Sequence, residues 1–173
     1  MKKIVLTGGP SVGKTTMIEL LAAEGYTIIP EAARMIIEEE RLKENGNVPS
    51  KNLLKFQELV LERQCGLENS VPQGLVFIDR GIVDGIAYCR YGNVPVPQKI
   101  FELAPKRYDL IFLLDQLGMY EEDGIRSRKL EDSVALHTLI EAAYRECGYE
   151  PLRVPVLPPV ERVKFILQRI GHV

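Results

Sequence analysis

The sequence predicts an α/β fold, a three-layer sandwich in which helices cover both faces of a five-stranded parallel sheet. Two observations carry that expectation. Short apolar runs at residues 3–7, 26–29, 74–79, 108–114 and 152–156 alternate with longer segments of helical period. Strands apolar at nearly every position belong in a sheet buried on both faces, joined by right-handed crossovers. In addition, the first run leads through a glycine-bearing loop straight into a helix. Open sheets of this kind bind ligands beyond the carboxyl ends of their strands, and several charged residues fall there.

The elements follow in order. A strand at 3–7 precedes a helix at 13–24, closed by Gly25 as its C-cap. After the strand at 26–29, Pro30 stands at the start of a helix at 31–43, where its missing N–H costs nothing. The run Glu38-Glu39-Glu40 reads as a solvated face of that helix, and Asn45-Gly46-Asn47 as a turn. Ser50 is a suitable N-cap for a long helix to Leu67, with Leu53, Phe56 and Val60 at helical spacing. The strand at 74–79 ends on a carboxylate and is followed by helices at 83–91 and 98–104. The strand at 108–114 ends at Asp115. Asp132 or Ser133 is expected to cap a helix to Cys147, before the last strand and a final helix at 160–170.

Composition narrows the function classes. A chain of 173 residues suits one domain, read here as residues 1–173, and 46% hydrophobic with 27% charged residues is ordinary for a globular protein. Twenty-two basic against 24 acidic side chains leave a net charge of −2, too balanced to argue for nucleic acid or an acidic membrane surface. Cys65, Cys89 and Cys147 are odd in number and widely spaced, which suits reduced, buried thiols rather than a disulfide frame or a zinc site. The chain enters its first strand directly and holds no run of transmembrane length, so a cytoplasmic location is expected. Nothing in the pattern indicates an oligomer.

The chemistry concentrates in Gly8-Gly9-Pro10-Ser11-Val12-Gly13-Lys14-Thr15-Thr16. This stretch fits G-x-x-x-x-G-K-[ST], the phosphate-binding loop, with Gly8, Gly13, Lys14 and Thr15 at the fixed places. Gly8 and Gly13 allow the backbone to curl so that successive N–H groups converge on a phosphate, and the following helix adds its positive end. Lys14 is placed for the β- and γ-phosphates of ATP, and the Thr15 hydroxyl for Mg²⁺. Lys14 is expected to face solvent while no nucleotide is bound.

Asp79 closes an apolar strand, a position suited to holding Mg²⁺ through water; the alternative is a strand-end aspartate capping the next turn. It is followed by Arg80, so no second acidic residue stands beside it to activate water. Glu31 and Arg34 share a helix face, where Glu31 could take a proton from a substrate hydroxyl and Arg34 fix a polar or anionic group; a surface ion pair is the alternative. Asp84 and Tyr88 border the place where an acceptor would sit, with N-cap and core roles open to them as well. His137 and His172 have no partner pattern and read as structural. Residues 116–131 read as a loop over the site, a lid with Gly118 and Gly124 for freedom. In an extended loop Arg126 and Arg128 would aim the same way, suited to bidentate phosphate contact. Otherwise they pair with Glu121, Glu122 and Asp123.

These motifs together carry a resemblance. Gly8 to Thr15, Pro30-Glu31-Ala32-Ala33-Arg34, and Asp79-Arg80-Gly81 with Asp84 and Ala87-Tyr88 resemble one family. It is the AAA-domain P-loop family that includes the nicotinamide-riboside kinase domain of bifunctional NAD-regulator proteins. The likeness covers nearly the whole chain. It implies a nucleoside- or nucleotide-kinase-like core with strand order 2-3-1-4-5, without the helix-turn-helix and nucleotidylyltransferase parts of the best-known members.

The leading expectation is therefore a kinase that transfers a phosphoryl group from Mg·ATP to a small molecule. Lys14, Glu31, Asp79, Arg126 and Arg128 are the candidate catalytic groups, and Glu31, Arg34, Arg80 and Asp84 the substrate-binding ones. The alternatives are a stand-alone AAA-type ATPase, set against which the chain has no room for the helical domain of AAA motors, and a module that binds nucleotide only to present a surface. A GTP switch lacks the [NT]-K-x-D segment that reads guanine.

Overall fold

The structure, a computed structural model, describes residues 2–72, 74–117 and 124–171, and the side chains of all of these except 124–130. Five strands form one parallel sheet: β1 (Lys2–Thr7), β2 (Thr27–Ile29), β3 (Leu75–Asp79), β4 (Leu110–Leu114) and β5 (Leu152–Val154). Their order is β2-β3-β1-β4-β5, as the resemblance implied. The central β1 pairs Leu6 with Asp79 of β3 on one side and with Phe112 of β4 on the other. That register brings the ends of all three strands to one edge.

Among the described residues seven helices accompany the strands: α1 (Lys14–Ala23), α2 (Ala32–Arg41), α3 (Leu53–Ser70), α4 (Asp84–Tyr91), α5 (Gln98–Leu103), α6 (Gly124–Glu146) and α7 (Pro159–Ile170), the last of them after β5. The two faces of the sheet carry separate apolar layers. One joins Val5, Ile78, Ile111 and Leu113 to α3, α4, α5 and α6 through Leu61, Ile86, Ile100 and Ile140. The other joins Ile4, Leu6, Phe77 and Phe112 to α1 and α7 through Met17, Leu21, Val163 and Ile166. Alternation along each strand sends neighbours to opposite faces, so uniformly apolar strands are what two layers require.

Several expectations change. Asn52, not Ser50, caps α3, its side chain accepting from the Lys55 N–H at 3.1 Å. Glu40 is buried rather than solvated: it accepts from the Asn47 backbone N–H at 2.7 Å and pairs with Lys43. One carboxylate thus pins the chain reversal after α2, satisfying a backbone donor that helical period alone does not reveal. Helix α6 begins at Gly124, eight residues before Asp132, so neither Asp132 nor Ser133 is a cap and the second half of the expected lid loop is helical. The acidic trio at 121–123 and Gly118 lie outside the described residues, as does His172. Of the three thiols, all free, only Cys89 is fully buried.

Candidate active site

The phosphate loop forms between β1 and α1 as its sequence demands. Gly8 has φ +138°, and a Cβ there would lie 2.9 Å from the Leu114 carbonyl oxygen of the neighbouring strand. Gly13, the N-cap of α1, sits in the left-handed region at φ +90°. Both positions exclude side chains, one by contact and one by conformation. Three groups brace the loop from distant parts of the chain. His137 of α6 accepts the Gly9 N–H on Nδ1 at 3.2 Å, and Ser133 donates its hydroxyl to the Pro10 carbonyl at 3.2 Å. The buried Arg162 of α7 donates to the carbonyls of Val12 at 2.7 Å, Pro155 at 2.8 Å and Asp115 at 3.0 Å.

Lys14 departs from expectation. It is only 7% exposed, and its Nζ donates to the carbonyls of Gly8 at 3.1 Å and Gly9 at 2.7 Å. An ammonium without a phosphate partner must satisfy its donors, and the loop's own carbonyls are nearest. Burial, with the Arg80 charge beside it, pulls its pKa down to about 7. Thr15 and Thr16 are exposed at the head of α1.

Beyond β3 lies a charged cluster. Asp79 is buried, and its Oδ1 has no hydrogen-bond partner among the described residues. Burial and the Glu31 charge push its pKa up to about 6, against the pull of Lys14 and Arg80. Arg80 follows in a left-handed conformation, φ +66°, uncommon for a side-chain-bearing residue. That turn sends its guanidinium back beneath the phosphate loop, where it donates to the Gly8 carbonyl at 3.0 Å, Asp84 Oδ1 at 2.8 Å and Glu31 Oε1 at 3.1 Å, with the Tyr88 ring 5.3 Å away. Asp84, in the first turn of α4, accepts further hydrogen bonds from Thr7 Oγ1 at 2.7 Å, Tyr144 Oη at 2.7 Å and the Gly81 N–H at 3.2 Å. Its two oxygens are thus fully engaged by the protein.

Two cavities open from this cluster. One lies over the phosphate loop and is lined by residues 10–15 with Glu31, Arg34, Arg80 and Tyr88. The other runs between α2, α3 and α4 and has a volume of about 180 Å³. Its walls are mainly apolar, and Glu31, Arg80 and Tyr88 line it too. Those three residues form the partition between a phosphate site and an apolar chamber.

The structure therefore brings together the loop residues, Glu31, Arg34, Asp79, Arg80 and Asp84. The side chains of Arg126 and Arg128 lie outside the described ones; their backbone belongs to α6 rather than to an extended loop. Sequence reasoning missed Arg162 altogether and took His137 as structural without seeing that it holds the loop. Neither has a local signal, since each meets its partner across more than a hundred residues.

Among the described residues no helix is long and apolar enough to cross a membrane, and no group of three or more His, Cys, Asp or Glu is gathered for a metal. No curated protein matches the chain significantly. Solved structures share its fold at low identity. A deoxyadenosine kinase from M. mycoides, with products dCMP and a flexible dCDP bound, aligns at TM-score 0.63 and 17% identity over 99% of this chain and 100% of that one. NadR protein in complex with NR aligns at TM-score 0.70 and 16% identity, over 99% of this chain but 50% of the other. Shikimate kinase from Aquifex aeolicus aligns at TM-score 0.60 and 18% identity, over 98% and 96%. At such identities these likenesses describe the fold, a five-stranded P-loop core. The family is shown by sequence: a model described as AAA domain matches residues 3–162, from the first strand to the arginine that clamps the phosphate loop, and the chain belongs to that AAA-domain family.

Proposed function

We propose that the protein transfers the γ-phosphoryl group of Mg·ATP to a hydroxyl or phosphate oxygen of a small molecule held in the apolar chamber. The observation that carries this reading is the shared partition: Glu31, Arg80 and Tyr88 line both the phosphate cavity and the chamber. A donor phosphate and an acceptor oxygen would meet at that wall, and positioning supplies much of the rate in such transfers. The solved structures of the same fold include kinases of a nucleoside and of shikimate, in line with this class of reaction.

The roles follow from the geometry. Backbone N–H groups of the loop and of the head of α1 would cradle the phosphates, Pro10 having none and that of Gly9 being held by His137. Lys14 leaves the Gly8 and Gly9 carbonyls for the incoming phosphate oxygens, its donors already gathered at the loop. Glu31 stands where it could accept the acceptor's hydroxyl proton, its free oxygen not claimed by Arg80. Arg34, exposed at the edge of the phosphate cavity, is placed for the polar end of a substrate. Arg126 and Arg128 remain candidates to steady the transferring group from the start of α6.

The residues present fit a magnesium ion. Asp79 offers a buried carboxylate oxygen with no partner, and the Thr15 hydroxyl is exposed at the loop. Hard cations of this size take one or two protein oxygens and complete their shell with water and phosphate, so a larger acidic cluster is not needed. Bound there, Mg²⁺ would neutralise charge on the phosphate oxygens as the bond to the leaving group breaks.

The experiment is to incubate the protein with Mg·ATP and a panel of nucleosides, nucleotides and sugars while following ADP. An acceptor that raises ADP formation well above background, together with loss of ATP binding in Lys14→Ala by calorimetry, is the expected result. Fast hydrolysis without any acceptor would instead assign a simple ATPase, and unchanged ATP binding in Lys14→Ala would overturn the phosphate-loop reading.

A further inference from the structure

Among the described residues most buried charged side chains have an opposite partner. Glu40 pairs with Lys43, Glu68 with Lys3 and Arg107, and Arg80 with Asp84 and Glu31. The buried charges left without an ion pair are Lys14, Asp79 and Arg162, and all of them gather at the phosphate loop or the strand end beside it. Lys14 suits a phosphate and Asp79 a magnesium ion; Arg162 has no such role yet. It is 2% exposed, and carbonyls alone hold it: Val12, Pro155 and Asp115. The Asp115 carboxylate is turned to Arg153 instead, at 3.2 Å. A buried charge without a counter-charge is costly, and carbonyl dipoles offset only part of that cost.

The bond to Val12 also has a direction. Arg162 Nη1 donates at 2.7 Å to the carbonyl of the peptide that joins Val12 to Gly13. That peptide is planar and trans, so its N–H, which belongs to Gly13, points opposite to its C=O and away from Arg162. Val12 and Gly13 line the cavity over the loop, whereas Arg162 stands behind them. Fixing the carbonyl at the back therefore turns the Gly13 N–H to the cavity side. The guanidinium is itself anchored to the sheet edge, because Asp115 directly follows β4 and Pro155 directly follows β5.

We propose that Arg162 is a positioning residue for a polyphosphate: it aims the Gly13 N–H at the phosphate bound over the loop, and the phosphates supply the counter-charge that the fold withholds from it. Arg162 acts through the Val12–Gly13 peptide and touches neither nucleotide nor acceptor. The inference rests on the proposed function only in placing phosphates over this loop, and it requires no transfer. Backbone N–H groups of such loops hold the α- and β-phosphates. A di- or triphosphate then gains from Arg162, and a monophosphate gains little.

Calorimetry with Mg²⁺ would compare the ATP analogue AMP-PNP, ADP, AMP and inorganic tripolyphosphate on the parent, Arg162→Gln and Arg162→Lys. Glutamine removes the charge, whereas lysine keeps it and can still donate to a carbonyl. Arg162→Gln is expected to weaken AMP-PNP, ADP and tripolyphosphate at least about tenfold, and AMP less than about threefold. Arg162→Lys should stay within about threefold of the parent for all four. A merely structural arginine gives another pattern, with AMP and AMP-PNP weakened alike and lysine no better than glutamine. That pattern overturns the proposal, as does unchanged AMP-PNP affinity in Arg162→Gln. Should Arg162→Gln fail to fold, the parent protein decides. Its Arg162 Nε–H NMR signal, identified by its absence from Arg162→Lys, should shift when tripolyphosphate is added, and an unmoved signal overturns the proposal. A protein that binds ADP through Arg162 but passes phosphate to no acceptor would defeat the transferase reading and leave this one standing. Phosphate transfer with nucleotide affinities indifferent to Arg162→Gln would do the reverse.

Discussion

Glu31 and Arg80 meet at 3.1 Å across 49 positions of sequence, Oε1 to Nε, on the wall between the phosphate cavity and the apolar chamber. Arg80 is held at its other face by Asp84, so the pair fixes where the Glu31 carboxylate points without occupying both of its oxygens. If Glu31 takes the acceptor proton, Glu31→Gln should lower turnover at least about 10²-fold. The neutral amide keeps the hydrogen bond to Arg80, so ATP affinity should change little. Steady-state kinetics beside ATP calorimetry checks this; equal turnover in parent and variant would remove Glu31 from the reaction.

Asp84 presents a different case. Its oxygens accept from Thr7, Arg80, Gly81 and Tyr144, all within the protein. Asp84→Asn would leave the Arg80 guanidinium without its buried counter-charge and turn one acceptor into a donor facing donors. Breaking a buried pair from one side costs about 3–5 kcal/mol, so a large loss of unfolding free energy in urea is expected. An Asp84→Asn protein as stable as the parent would mean that Glu31 alone balances Arg80.

His137 makes the phosphate loop sensitive to acid. Burial, with the Arg153 charge beside it, holds its pKa below the ordinary 6.5, and its Nδ1 must be unprotonated to accept the Gly9 N–H. As pH falls below about 6.5 the unfolded chain binds this proton first, so the His137 contribution to stability rises with pH in that window and is lost on acidification down through the folded-state pKa; Asp79, raised to about 6, contributes with the opposite sign. ATP affinity should decline over the same range. His137→Gln, which can still accept from Gly9 but does not titrate, should remove the His137 share of both dependences between about pH 5 and 7 and leave that of Asp79; thermal melts and calorimetry of variant and parent at several pH values would show the difference. Identical profiles would shift the acid sensitivity to other groups.

Arg126 and Arg128 stand on helical backbone, two positions apart, and so lie roughly 200° apart around the axis of α6. Two positions so placed on a helical backbone do not face the same way. Substitution by lysine should therefore be unequal: one of Arg126→Lys and Arg128→Lys should lower turnover about tenfold or more while the other stays near the parent value. Equal large losses in both would restore the picture of an extended segment closing over the nucleotide.

Much of the architecture was legible because it rests on local pattern. Apolar runs set the strands, and the spacing of Gly8, Gly13, Lys14 and Thr15 set the loop; Asp79, Glu31 and Arg34 came with the carboxyl edge of the sheet. What was hidden depends on chain segments meeting from afar. Nothing near Arg162 indicates that it will reach three carbonyls, and nothing near Glu40 that Asn47 will fold back onto it. Lys14 was expected to face solvent without nucleotide because the motif says only where phosphates lie, whereas the carbonyls of Gly8 and Gly9 take up the ammonium. The start of α6 was misread because Gly124, Asp132 and Ser133 resemble loop and cap chemistry, while burial of Leu136, Ile140 and Ala143 against the sheet favours one continuous helix.

That continuity turns α6 into a lever. Over 23 residues it extends about 35 Å. Its middle is tied to the phosphate loop through Ser133 and His137, and its far end to Asp84 through Tyr144. A rod tied at its middle and far end transmits any movement of its free end to both ties. Any swing of its arginine-bearing end toward a nucleotide must then be felt as torque at Gly9 and as displacement beneath Arg80. Closure over one substrate and the seating of the other would be a single mechanical event.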